Sequence, residues 1–131
     1  MADVVVFETD QSVSEVLDDV LSYCGIEHRT FCFPIGKRGL ARVEYFREIL
    51  AEHQPKIVLM SYRHIWPVVL EAVLGVQPRP QLWVFTGYNA EMLNRQGVFF
   101  RADRVFEKPY HVYKLGRELQ RELNLPERVS P

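Results

Sequence analysis

Ile57-Val58-Leu59-Met60 follows Pro55-Lys56 and runs straight into Ser61. Four apolar residues with no polar interruption do not suit a strand with one wet face. They read as a central strand covered on both sides. Toward the N-terminus Val4-Val5-Val6-Phe7 repeats that character, and toward the C-terminus so does Leu82-Trp83-Val84-Phe85. Val105-Phe106 is a shorter fifth strand that stops at Pro109, and residues 26–33 are strand-like with Phe31 and Phe33 on one face.

Helix-period segments alternate with these runs. Ser12-Val13-Ser14-Glu15 reads as a capping box, followed by Val13, Val16, Leu17, Val20, Leu21 and Cys24 at helical spacing, with Gly25 as the stop. Leu40, Val43, Phe46, Arg47 and Leu50 mark a second helix that closes before Pro55. A third spans residues 67–74, with Pro67 tolerated in its first turn and Gly75 at its end. Asn89 is placed to cap a short fourth helix through Asn94, and Val112, Leu115, Leu119 and Leu123 form the stripe of the last. Residues 34–39 are a loop. Five strands alternating with five helices imply a parallel sheet covered on both faces.

Composition agrees with a single globular domain. The chain has 131 residues, 47% hydrophobic and 25% charged, with 16 Lys and Arg against 17 Asp and Glu. A net charge of -1 argues against nucleic acid as a partner. The longest apolar run, residues 65–70, is interrupted by Pro67 and far short of a membrane span, so no membrane role is expected. Met1-Ala2-Asp3 leads into the first strand with no signal-peptide pattern, and Cys24 and Cys32 fit neither a disulfide framework nor a zinc site, so a cytoplasmic protein with reduced thiols is expected.

In such sheets the ligand crevice lies beyond the carboxyl ends of the strands. There the sequence places Glu8, Thr9 and Asp10 after the first strand and Ser61, Tyr62 and Arg63 after the third. Thr86 and Gly87 follow the fourth, and Glu107, Lys108 and Pro109 the fifth.

That set, in that order, resembles the receiver domain of bacterial two-component response regulators, over the chain from about residue 4 to 123. Val84-Phe85-Thr86-Gly87-Tyr88-Asn89 is similar to the family's strand-four ending, a hydroxyl residue followed by a small one. Ala102-Asp103-Arg104-Val105-Phe106-Glu107-Lys108-Pro109-Tyr110 resembles its strand-five ending, with an aromatic after Lys-Pro. The resemblance implies an α/β, doubly wound, three-layer fold of the flavodoxin-like type, strand order 2-1-3-4-5, over residues 1–125, with 126–131 a frayed tail. It also implies phosphoryl transfer from a histidine kinase to an aspartate at the end of strand three. An acidic pair after strand one holds Mg²⁺, the lysine steadies the phosphoryl oxygens, and the strand-four hydroxyl moves to meet them.

Here the chain departs from the family. The acceptor position falls on Ser61, whose neutral hydroxyl cannot form an acyl phosphate. The acidic pair reads Glu8-Thr9, so the member expected at the metal is a threonine, while Asp10 matches a position that points away. The residue whose carbonyl serves the metal is Arg63, and the switch aromatic is Val105. Thr86 and Lys108 are kept. The resemblance therefore implies an atypical receiver, or pseudo-receiver, with no metal and no cofactor. It would be non-enzymatic and work through a protein partner in a signalling pathway. The competing readings are a phosphorelay receiver using Glu8 or Asp10 as a displaced acceptor, and a small flavodoxin-like enzyme or nucleotide binder. Glu8-Thr9-Asp10-Gln11-Ser12 is not a phosphate loop, which tells against FMN.

The remaining features have plainer readings. Glu8 is either paired with Lys108 or a lone solvated carboxylate. Ser61 lacks a Gly-x-Ser-x-Gly elbow, and His64 is too close in sequence to serve as its base, so Ser61 reads as an ordinary hydrogen-bonded serine. His28, His53, His64 and His111 are scattered without ligand spacing. Cys24 lies on the first helix's apolar stripe and reads as core. Gly36-Lys37-Arg38-Gly39 matches no P-loop and reads as a solvated basic loop. Trp66, Tyr88, Phe99 and Phe100 either fill the core or form a docking patch. Arg95, Arg104, Lys114, Arg117 and Arg121 belong to a charged face through which a weak homodimer is a candidate. No DNA-binding domain follows, so direct control of transcription is not expected.

Overall fold

The structure, a computed structural model, describes residues 2–33, 43–61, 66–86, 101–107 and 111–126. Within them β1 (Val4–Glu8), β2 (His28–Cys32), β3 (Ile57–Ser61), β4 (Gln81–Thr86) and β5 (Arg104–Glu107) form one sheet. All neighbouring pairs are parallel, as the apolar runs indicate, and the order is β2-β1-β3-β4-β5, as the resemblance implies. The described helices are α1 (Gln11–Tyr23), α2 (Val43–His53), α3 (Trp66–Leu74) and α4 (Val112–Glu122). The expected helix from Asn89, with Tyr88, Phe99 and Phe100, falls outside the described residues. So do Leu40, the Lys37-Arg38 loop and residues 127–131.

The continuous apolar runs are explained by two cores, one on each face of the sheet. Alternate residues Val5, Phe7, Val58, Met60, Leu82 and Val84 pack under α2 and α3. Their neighbours Val4, Val6, Ile57, Leu59, Trp83 and Phe85 pack under α1 and α4. Because side chains alternate along a strand, only a run apolar at every position can serve both layers. Phe31 and Phe33 share a face, as expected, each ring tilted against Phe7 at 6.0 and 5.9 Å. Trp66 is buried in the first core, so it forms no docking patch.

Helix ends follow local rules with one correction. α1 is capped by Asp10, not Ser12. Asp10 has an extended backbone, and its Oδ1 accepts from the Ser12 and Val13 amides at 2.8 and 3.2 Å. The helix thus starts two residues earlier than a Ser12 cap would set it, and the carboxylate takes the orphan donors of that earlier turn and adds charge at the positive end of the helix. At the other end Gly25 has φ 71°, its amide donates to the Ser22 carbonyl and the Ile26 amide to that of Leu21. This is a left-handed cap that glycine adopts without a Cβ penalty. The second strand is also shorter than its pattern: β2 covers five residues, and Ile26 and Phe33 flank it. Among the described residues no helix is long and apolar enough to cross a membrane.

Candidate functional site

Parallel pairing brings the carboxyl ends of β1, β2, β3 and β4 together. The register sets Glu8 beside Cys32, and Ser61 beside Phe85, one residue short of Thr86. Glu8, Ser61 and Thr86 are each 1% exposed and Thr9 is 8% exposed, so four polar side chains stand at the strand ends with almost no access to water.

Burying a carboxylate demands donors, and Glu8 has them. Its Oε1 accepts from the Thr9 amide at 2.8 Å and the Asp10 amide at 3.2 Å, and its Oε2 accepts the Ser61 hydroxyl. The solvated-carboxylate reading of Glu8 is thereby overturned, and Ser61 is the hydrogen-bonded serine expected. Asp10, the next carboxylate, is exposed and turned to the start of α1 as its cap. Lys108 and Arg63 lie outside the described residues.

Cys32 is a site neighbour that spacing along the chain did not reveal, because only the β1–β2 register places it against Glu8. Its thiol is free, and its pKa is pushed up, first by burial and then by the nearby carboxylates of Glu8 and Asp10. The useful signal would have been that both strands end at the same sheet edge. Cys24 is buried in the second core, as its stripe position indicated.

The described donor set does not fit a hard divalent cation. Such ions want several oxygen ligands, with carboxylates prominent. Here both oxygens of Glu8 are engaged internally, Asp10 is committed to the helix, and Thr9 and Ser61 are neutral. No step through a metal follows from this arrangement.

Farther out, Val105, where the resemblance led us to expect an aromatic, is half-buried against the first core. On the charged face Arg104 is used within the chain. Its guanidinium meets Glu118 at 3.2 Å and lies 4.8 Å from the centre of the buried Trp83 ring. Lys114, Arg117 and Arg121 are exposed along α4, and Arg95 lies outside the described residues.

No protein-family model matches the sequence, and neither does any curated protein. Solved structures do match. The chain is similar to chemotaxis protein CheY4 of Vibrio cholerae with a TM-score of 0.70 at 16% identity, covering 92% of this chain and 98% of that one. A CheY-like response regulator receiver domain protein of Methanospirillum hungatei gives 0.67 at 13%, covering 95% of each chain. The receiver domain of a Pseudomonas aeruginosa sensor histidine kinase, solved with a magnesium ion coordinated in its active-site cleft, gives 0.66 at 17%, covering 95% and 99%. With its 2-1-3-4-5 parallel sheet, the chain has the fold of the CheY-like response regulator receiver domains.

Proposed function

We propose that the protein is an atypical receiver, a cytoplasmic signalling module that acts by protein–protein contact and takes no phosphoryl group. One observation carries this reading: the residue ending β3 is Ser61, and its hydroxyl is spent on the buried Glu8 carboxylate. A phosphoryl acceptor in this fold needs a free carboxylate there, with further anionic ligands for a metal beside it. Glu8 is the nearest substitute, and its oxygens already hold two amides and a hydroxyl. In this reading Lys108 serves shape and stability and not catalysis.

Intact-mass spectrometry after incubation with acetyl phosphate and Mg²⁺ tests it. The natural chain is expected to keep its mass. Ser61→Asp alone is expected to phosphorylate poorly, and Thr9→Asp with Ser61→Asp better, since the pair restores both missing anionic groups. A stoichiometric, hydroxylamine-labile gain of one phosphoryl group on the natural chain would overturn the proposal in favour of a displaced carboxylate acceptor.

A further inference from the structure

We propose that a cavity at the amino-terminal end of the sheet binds a small amphipathic anion, an aliphatic or aromatic carboxylate. The cavity lies at the opposite end of β3 and β4 from Ser61 and Thr86, between the last turns of α2 and the segment that joins α3 to β4. Its volume is about 570 Å³, which falls within the range of small-molecule sites.

The lining dictates the ligand class. Leu50, Ala51, Val76, Pro55, Pro78 and Pro80 supply apolar walls. Proline rings present carbon surface, carry no amide proton and hold the backbone stiff, so much of this wall is preformed. Gln54, Gln77 and Gln81 add neutral amides, that of Gln81 committed, donating to Glu122 and accepting from the Trp83 indole. Among the described lining residues Lys56 and Arg79 are the ionisable ones, and both are cations.

Neither cation is saturated. Lys56 is 69% exposed and reaches Asp3 only at 4.0 Å. Arg79 meets Asp103 at 3.5 Å and the Arg101 carbonyl at 3.4 Å, long contacts that leave other guanidinium protons available. Their partners Asp3 and Asp103 do not line the cavity. An apolar body therefore fits the proline-rich wall, while one negative group meets Lys56 and Arg79. A bare phosphate would leave the wall uncovered, and a cation would face two like charges.

The test is a titration of the whole chain with sodium octanoate, followed by amide ¹H–¹⁵N spectra, with octyltrimethylammonium as the charge control. Octanoate is expected to shift Leu50, Ala51, Val76 and Gln81 saturably, and the ammonium compound is expected not to. Lys56→Gln, at an exposed position, is expected to weaken binding about threefold, the scale of one exposed charge contact. Ala51→Trp, also at an exposed position, fills the mouth and is expected to abolish the shifts while the remaining spectrum keeps its dispersion. Absence of saturable shifts at millimolar octanoate, shifts confined to the separate apolar hollow lined by Val13, Val16, Leu17 and Val112, or equal binding of the ammonium compound would each overturn the proposal. An unchanged affinity in Lys56→Gln would remove the anion assignment.

Discussion

Asp10 carries two separable effects in a single carboxylate. As the cap of α1 it satisfies the Ser12 and Val13 amides, a role worth about 1 kcal/mol in other helices. Asp10→Ala is therefore expected to lower the melting temperature by about 3–5 °C for a chain of this size, measured by circular dichroism. Ser12→Ala is expected to leave it nearly unchanged. The reverse ranking would restore the Ser12 cap expected from the sequence. As a charge, Asp10 helps Glu8 and burial to raise the Cys32 pKa. Asp10→Asn keeps the cap but removes the charge. It is expected to lower stability less than Asp10→Ala, losing only the helix-end charge, while Cys32 titrates at lower pH, read from the rate of thiol labelling against pH. The linked effect on stability has a definite sign. Below the ordinary thiol range, near pH 8.5, folded and unfolded chains both hold the proton. Above it the unfolded chain releases the proton first, so stability falls as pH rises, and a Cys32→Ser variant is expected to fall less. Two residues able to cap a helix start, Asp10 and Ser12, stand two residues apart in sequence. Only the backbone path decides between them, which is why the cap was misplaced.

At the level of elements, α1 and α4 meet where α4 has no side chain. A Cβ placed on Gly116 would lie 2.5 Å from the Cys24 sulfur, well inside contact. Gly116 is buried in the middle of the helix, where alanine would otherwise be favoured by about 1 kcal/mol. Overpacking costs about 1–3 kcal/mol, so the clash outweighs the propensity. Gly116→Ala is expected to destabilise in urea unfolding, and the same change in a Cys24→Ala background to stabilise. Additive effects in the double variant would show that the two residues do not meet. The helices were legible through their apolar stripes, and Gly25 through the left-handed cap it forms. Gly116 was not legible as a contact, because closeness between helices far apart in sequence leaves no local mark. β2 was overextended for a related reason. It is an edge strand whose apolar flanks Ile26 and Phe33 are buried beyond the five paired residues, the Phe33 amide still donating to the Glu8 carbonyl.

For the whole molecule, β1, β3 and β4 were readable because burial on both faces demands unbroken apolar runs, and the strand order followed from the resemblance those runs framed. The placing of Glu8, Ser61 and Thr86 at neighbouring strand ends was readable too, since strand ends in a parallel sheet converge, whereas Cys32 beside Glu8 was not. Nor was the internal bonding of the crevice. Nothing in Glu8-Thr9-Asp10 announces that one carboxylate turns inward onto two amides and a serine while the other turns outward onto a helix. That inward turn leaves the described pocket satisfied by its own hydrogen bonds, and the proposed function rests on it. It is tested most directly by titrating the natural chain with Mg²⁺ and beryllofluoride while following the amide ¹H–¹⁵N signals of Glu8, Thr9, Ser61 and Thr86. Those signals are expected to stay in place in the natural chain and to move in the Thr9→Asp, Ser61→Asp double variant; a saturable shift of the same four signals in the natural chain would contradict a pocket closed by its own hydrogen bonds.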